Sequence, residues 1–381
     1  MQEKPYYEGI LTGTEQLGPY PMERLKRVDR PTTKITDKIQ RTDVRERGFD
    51  RALRGDFGPL AQSEYLRFKE PISASLWGMT SSFVDKVDGK VASSKAPIPQ
   101  DLTILSRHIK SLGYFFRADI VGICELPQWA VCSYDEHGHP VEINHKFAIT
   151  LAVDQGYETM NGSTGHDWIS RSQSFRGYTL AGLMSCMMAD YIRKLGFPAR
   201  AHHFRDDPIA ITPVLLMAGI GEISRQGIVL NPFLGIRFKA SVVTTDLPLL
   251  PDKPVDFGLQ KFCQQCQKCA VECPSQAISH GDKVMYNGYE IWKLDVDTCT
   301  KFRVTNQKGA SCGRCIKVCP WNKPRGWIHD RARWMAEHTP WMDKFLIKMD
   351  DIWSYGKQYK KYKWWFDLED VNGALQIPKK K

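Results

Sequence analysis

Eleven cysteines lie in the chain, and eight of them crowd between Cys263 and Cys319. The spacing is Cys263-x2-Cys266-x2-Cys269-x3-Cys273-Pro274, then Cys299, then Cys312-x2-Cys315-x3-Cys319-Pro320. A [4Fe–4S] cube takes four thiolates; a tight loop offers three, and the cysteine before proline reaches across to the other cube. The spacing therefore predicts one cluster on Cys263, Cys266, Cys269 and Cys319, and a second on Cys299, Cys312, Cys315 and Cys273. Two structural zinc sites would also use eight cysteines, but the x2, x2, x3, Pro run is a cluster spacing. Two cross-ligated cubes make a wire for single electrons, and a wire needs a terminus.

Sequence motifs leave that terminus open. No G-x-G-x-x-G follows a strand and no P-loop is present, which removes the simplest nicotinamide and ATP readings. The corrinoid-ligating pattern Asp-x-His-x-x-Gly starts at Asp135-Glu136-His137 and then has Pro140 where glycine is required. A corrinoid held by a protein histidine is thus disfavoured, while flavin, an unligated corrinoid or a partner protein all remain. Cys124, Cys132 and Cys186 sit among apolar residues and read as buried reduced thiols.

The elements that must position this chemistry follow from periodicity. Leu102, Leu105, Ile109 and Leu112 recur at helical spacing behind Asp101 as N-cap, with Gly113 as a stop. Segments 118–124 and 146–153 read as strands. Leu180, Leu183, Met184, Met187, Met188, Tyr191, Ile192 and Leu195 predict an amphipathic helix between Thr179 as cap and Gly196. Strands over 199–204 and 238–244, and a helix over about 213–225, complete an α/β (α+β) domain. We divide the chain into a wrapping N-terminal region (1–100), this domain (101–258), a bacterial-ferredoxin-like two-cluster module (259–324) and a C-terminal tail (325–381). Trp327, Trp334, Trp341, Trp353, Trp364 and Trp365 are expected to dock that tail on the rest.

Composition bounds the function class. At 381 residues with 42% hydrophobic and 25% charged residues, the chain is globular rather than fibrous or disordered. No apolar run is long enough to span a bilayer and no secretion signal precedes the domain. Residence in the cytoplasm is therefore expected, or else a mature chain whose leader was removed, with peripheral membrane association as the alternative. The net charge of 53 − 43 = +10 is dispersed and identifies no partner.

A resemblance narrows the terminus. Thr245-Asp-Leu-Pro-Leu-Leu-Pro-Asp-Lys-Pro-Val-Asp-Phe-Gly258, running into the first cysteine run and Ala277-Ile-Ser279, resembles the cobalamin-dependent reductive dehalogenases (catalytic subunit). Ile192-Arg-Lys-Leu-Gly196, Ala218-Gly-Ile-Gly-Glu222, Arg225-x-Gly227 and Cys312-Gly-x-Cys315-Ile-x2-Cys319-Pro-Trp321 are similar to further blocks, so the likeness runs from about Arg45 to Gly356. It implies a nitroreductase-like domain holding a base-off cobalamin fed by two [4Fe–4S] clusters, and cleavage of a carbon–halogen bond of an organohalide. It also implies a tyrosine proton donor beside a cation: Gly177-Tyr178 matches the family's Gly-Tyr, and its basic residue falls on Lys239, with Arg237 as understudy. A cation near a phenol favours the ionised form and eases proton release, as would a helix N-terminus.

Departures accompany the match. His202-His-Phe-Arg-Asp-Asp207 stands where the family commonly has an Asn-Asp pair, so Asp206 or Arg205 is expected to replace a pocket asparagine. The chain carries no reductase module, so the resemblance implies an external low-potential electron donor: a ferredoxin, a flavodoxin, or a membrane donor with an anchor subunit. No nucleic acid is expected. One alternative is an epoxyqueuosine reductase-like tRNA-modifying enzyme, which shares Cys319-Pro-Trp-Asn322; another is a non-enzymatic electron-transfer subunit.

Overall fold

The computed structural model describes residues 17–359, apart from 19, 66, 69–70 and 307–310, together with 362, 369–371 and 374–376. Near the N-terminus three helices, α1 (Gly48–Arg54), α2 (Pro59–Tyr65) and α3 (Pro71–Ser81), precede α4 (Leu102–Phe115). Then come β1 (Ile120–Glu125), β2 (Phe147–Asp154), α5 (Tyr157–Gly162), α6 (Trp168–Lys194), β3 (Ala199–His202) and α7 (Ile211–Met217). A small hairpin, β4 (Glu222–Ile223) and β5 (Val229–Leu230), leads to β6 (Phe238–Thr245). The central sheet has the order β1-β2-β6-β3 and every neighbour is antiparallel. The mixed α+β class is as the sequence implies.

Strand alternation sorts the side chains onto two faces. Val121, Ile123, Ile149, Leu151 and Val243 join α4 and α6 in one core. Ile120, Cys124, Ala148, Ala152 and Val242 face the other way, into a core shared with α7, Phe262, Trp292 and Trp321. The sheet is therefore the wall against which both the long helix and the cysteine-rich segment rest. Gly122 marks the tightest point of that wall: a Cβ there would stand 2.5 Å from the Ala218 carbonyl oxygen and 2.8 Å from Ile220 Cδ1.

Several boundaries differ from the sequence expectation. Gly113 lies inside α4, where the absence of a Cβ lets Val121 and Leu151 approach. The helix expected over 213–225 stops at Met217, since Gly219 turns at a positive φ and the chain re-enters as the β4–β5 hairpin. The largest correction concerns α6. It begins at Trp168, capped by Asp167, whose carboxylate also gathers Ser163 and Thr164. Thr179 is interior: its hydroxyl bonds back to the Phe175 carbonyl and meets Thr80 at 2.6 Å, fixing α3 on α6. Tyr178 is consequently in mid-helix, and the argument from the helix N-terminus does not apply to it.

The cysteine-rich segment folds as α8 (Leu259–Gln265), α9 (Lys268–Val271), the β7 (Val284–Tyr286) and β8 (Tyr289–Ile291) hairpin, α10 (Val296–Thr305) and α11 (Arg314–Val318). Then α12 (Trp327–His338) and α13 (Asp343–Ile352) pack across it. Among the described residues the tail docks mainly through Ala336, Leu346 and Ile347 rather than its tryptophans: Trp327 and Trp341 are each 80% exposed, and Trp334 and Trp353 about half. Trp364 and Trp365 lie outside the described residues. Among the described residues no helix is long and apolar enough to cross a membrane.

Because the Gly122 contact is with backbone, it cannot be relieved by a rotamer change. Gly122→Ala is expected to cost about 1–3 kcal/mol in urea unfolding; an unchanged midpoint would show that β1 and α7 have slack between them.

Candidate active site

Folding gathers the eight cysteines into two groups. Cys263, Cys266, Cys269 and Cys319 stand close enough to act on one another electrostatically. Cys273, Cys299, Cys312 and Cys315 form the second set, and Cys269 adjoins Cys315 where the sets meet. No three such side chains among the described residues close on a point tightly enough for a single ion; a cube of four irons spreads its thiolates further apart than a lone metal does. Burial pushes most of these thiols up, Cys266 to about 12 and Cys312 to about 11. Cys273 is held down against the opposing effect of burial by the Ser275 hydroxyl and nearby N–H groups. Iron loading must therefore expel protons from otherwise neutral buried thiols.

Two buried guanidiniums fasten this module to the sheet domain. Arg225 donates to the Cys263 carbonyl at 3.0 and 3.1 Å, and to the Ser279 and Gly281 carbonyls, while its carbon lies 4.7 Å from the Trp292 ring centroid. Glu222 accepts from the N–H groups of Phe257 and Leu259 at the entry to α8. These contacts give the Gly-Glu222 and Arg225 blocks a physical purpose. Arg237 is the second clamp. It pairs with Asp154 at 2.9 Å, the side chains being 4% and 6% exposed, and donates to Asn322 Oδ1 and the Lys323 carbonyl just beyond Cys319. Arg237 is thus corrected from an understudy of Lys239: it precedes β6, lies beside the Tyr157 ring and is fully engaged.

Lys239 occupies the position beside Tyr178. It projects from β6 on the α6 side of the sheet, and its Nζ stands 4.8 Å from the Tyr178 ring centroid. Gly177 makes room for it, since a Cβ there would meet Lys239 Cγ at 2.9 Å. The other face of Tyr178 stacks on Phe204, with centroids 4.4 Å apart and planes inclined by 14°.

Tyr178 also lines a cavity of about 670 Å³, counted with its open mouth. Its walls are Phe49, Tyr65, Phe68, Trp77, Phe175 and Phe204, with Arg171, Ser174, Arg303 and Ser311 as polar groups. Arg205 stacks behind Trp77 at 4.2 Å, and Asp206 is taken up by Arg200 at 2.7 Å, so Arg205 buttresses the wall and Asp206 is committed elsewhere. Arg303 was not singled out from sequence. It lies on α10 one turn after Cys299, a spacing that places both on one side of that helix, and its Nε is buried without a hydrogen-bond partner. The motif fragment at Asp135 is a surface turn in which Asp135 accepts from His137 and His139.

Comparison with known proteins decides the kinship. Residues 262–323 match the family model described as a 4Fe-4S dicluster domain. Over 94% of its length the chain superposes on a solved structure of the catabolic reductive dehalogenase NpRdhA, crystallised with 3-bromo-4-hydroxybenzoic acid, at a TM-score of 0.90 and 44% identity. Over nearly its whole length the chain is thus similar to the reductive dehalogenases. Tetrachloroethene reductive dehalogenase of Sulfurospirillum multivorans is 39% identical over 147 residues, 36% of this chain and 29% of its own length. The epoxyqueuosine reductase of Escherichia coli is more distant, 26% identical over 198 residues, 43% of this chain and 48% of its own. The chain spans 53% of the NpRdhA chain.

Removing one partner of a buried ion pair strands the other charge. Arg237→Gln is therefore expected to cost about 3–5 kcal/mol in chemical unfolding, whereas Lys239→Gln, at a partly exposed position without a buried ion pair, should cost less than about 1 kcal/mol. Equal losses would contradict the division of labour between the two cations.

Proposed function

We propose that this chain reduces an organohalide, R–X + 2e⁻ + H⁺ → R–H + X⁻. The carbon–halogen bond breaks, a proton is added to carbon and halide leaves. One observation carries the reading: Tyr178, flanked by Lys239, lines a cavity that is also lined by Arg303, on the same helix as Cys299. The proposed proton source and the helix that carries one cluster ligand thereby border one space. Residues 101–258 carry Tyr178 and Lys239, segments 49–77 and 303–311 complete the chamber's walls, and 259–324 hold the wire, with Cys263, Cys266, Cys269 and Cys319 on the first [4Fe–4S] cluster and Cys299, Cys312, Cys315 and Cys273 on the second.

The terminus in this proposal is a base-off cobalamin without a ligand from the chain, in keeping with B12-dependent dehalogenation in a related structure. The residues fit such a group. The amide oxygens of Gln155 and Gln173 are buried and accept no hydrogen bond, although the Gln155 amide nitrogen reaches Ser174 on the cavity wall. Orphaned acceptors of this sort suit the carboxamide N–H groups around a corrin rim. When bound, its cobalt supplies the electrons that enter the carbon–halogen bond.

The protein residues then perform the proton chemistry and the positioning. Tyr178 donates its phenolic proton to carbon, and the Lys239 ammonium stabilises the phenolate left behind. The aromatic walls exclude water and orient a flat ring by stacking. Arg303, with its unpaired Nε, and Arg171 supply positive charge at the edge of the chamber, so the substrate favoured here is an aryl halide carrying an acidic oxygen. That choice agrees with the ligand crystallised in NpRdhA. Electrons come from a separate low-potential carrier, a ferredoxin or flavodoxin or a donor held at a membrane by an anchor subunit. A tRNA-modifying role would need a chamber opening onto a nucleic-acid path, and the tight aromatic lining argues for a small substrate.

Tyr178→Phe should keep iron and corrinoid content while lowering kcat by about 10²- to 10⁴-fold, the range for loss of a positioned acid; undiminished halide release removes Tyr178 from the mechanism. Arg303→Gln should raise KM about tenfold or more for a halogenated phenol or benzoate, as expected for a lost charge-assisted hydrogen bond, with little change for a neutral chloroalkene. An equal effect on both substrate types would contradict the anionic-substrate reading. Cys266→Ser should lower iron content and halt electron delivery, and retention of full iron would refute its ligand role.

A further inference from the structure

The first cysteine group has charged neighbours that the proposed reaction does not use. Asp350, on α13, is 3% exposed and lies between two lysines of the cluster module. One carboxylate oxygen takes Lys268 Nζ at 2.5 Å; the other takes Lys323 Nζ. Lys268 sits between Cys266 and Cys269 in sequence, and Lys323 follows Cys319 by four residues. The site is closed by Tyr355, whose ring centroid lies 3.9 Å from Lys323 Nζ and whose hydroxyl pairs with His329 at 2.7 Å. Asp351 also reaches Lys268 at 2.6 Å but is 60% exposed, so water screens it.

Electrostatic reach follows the same geometry. Asp350 and Lys268 act on the Cys266 thiol, and Cys319 acts on Lys323. The charges acting on the second cysteine group are different ones: Arg303, Asp295 and the neighbouring thiols. A largely buried triad of two cations and one anion, net 2 − 1 = +1, therefore stands against one cluster site and not the other.

We infer that Lys268, Asp350 and Lys323 set the reduction potential of the first [4Fe–4S] cluster, with the C-terminal helix α13 supplying the anion that tempers two lysines. Adding an electron makes a cluster more negative, so nearby positive charge raises its potential and negative charge lowers it, most strongly where water is excluded. The three residues are tuning groups that touch neither substrate nor reacting atoms. The inference rests on assigning these four cysteines to one cluster.

The test is an EPR-monitored redox titration of the anaerobically reconstituted full chain, with the first cluster's midpoint identified as the one lost in Cys266→Ser. Asp350→Asn leaves Lys323 without its carboxylate and Lys268 with only the solvent-screened Asp351, and should raise that midpoint; Lys323→Gln and, independently, Lys268→Gln should lower it. Each is expected to change the reduced-to-oxidised ratio at the parent midpoint at least tenfold, about 59 mV for a one-electron couple. The exposed control Asp351→Asn should change it less than threefold, and the second midpoint should stay in place throughout. Shifts below threefold, shifts of one sign in all three variants, or equal movement of both midpoints overturn the inference while leaving the cluster assignment intact. If Asp350→Asn loses iron, the two lysine variants decide. A parent protein without two midpoints overturns the cluster assignment itself, and the inference with it.

Discussion

Electrons hop efficiently only between centres held close and still, so the arrangement depends on how the cysteine module is fixed to the sheet. Hydrophobic contact alone would allow sliding; the fixation here is directional. Arg225, almost wholly buried, spends its donors on carbonyls of the Cys263 and Ser279–Gly281 segments, and Glu222 receives the N–H groups that open α8. Arg237 repeats the device on the far side, tying Asp154 of β2 to the loop after Cys319. Desolvating these charges is costly and is offset only when nearly every donor finds an acceptor, which holds the module to one register.

That fixed register brings the chamber into being. The wall carrying Tyr178 and the wall carrying Arg303 come from segments about 125 residues apart and meet only because α10 is carried in by the module. Gly177 is a small but necessary part: without its missing Cβ, Lys239 could not run along α6 to the Tyr178 ring. Positive charge and aromatic surface then occupy the same space. The stacked Phe204 and the flanking lysine leave the Tyr178 ring little freedom to turn.

The sequence reveals the cluster chemistry most clearly, because cysteine spacing is set by the reach of short loops and needs no long-range information. The strands and α4 were legible for a related reason, their two-fold and 3.6-fold periods being local. The start of α6 was hidden because its first turns carry Ser, Arg and Gln where an amphipathic pattern calls for apolar residues; those side chains are buried against α3 and the 155–167 segment rather than exposed. The roles of Lys239 and Arg237 could not be separated from sequence, since two cations two residues apart look alike until Asp154 claims one of them. Most of the chamber was invisible as well. Phe49, Tyr65, Phe68 and Trp77 come from a stretch with weak periodicity, and only their convergence in space gives them a common task.

The account stands on a cobalt centre lying within electron-transfer reach of the cysteine module. Its most direct test is EPR spectroscopy of the chain loaded anaerobically with cobalamin, iron and sulfide, comparing the cobalt(II) signal before and after the clusters are reduced in part. Retention of one corrinoid per chain, with a base-off cobalt(II) signal that broadens or relaxes faster as a neighbouring cluster becomes paramagnetic, is the predicted result. Failure to retain a corrinoid, or a cobalt signal indifferent to the state of the clusters, would contradict it.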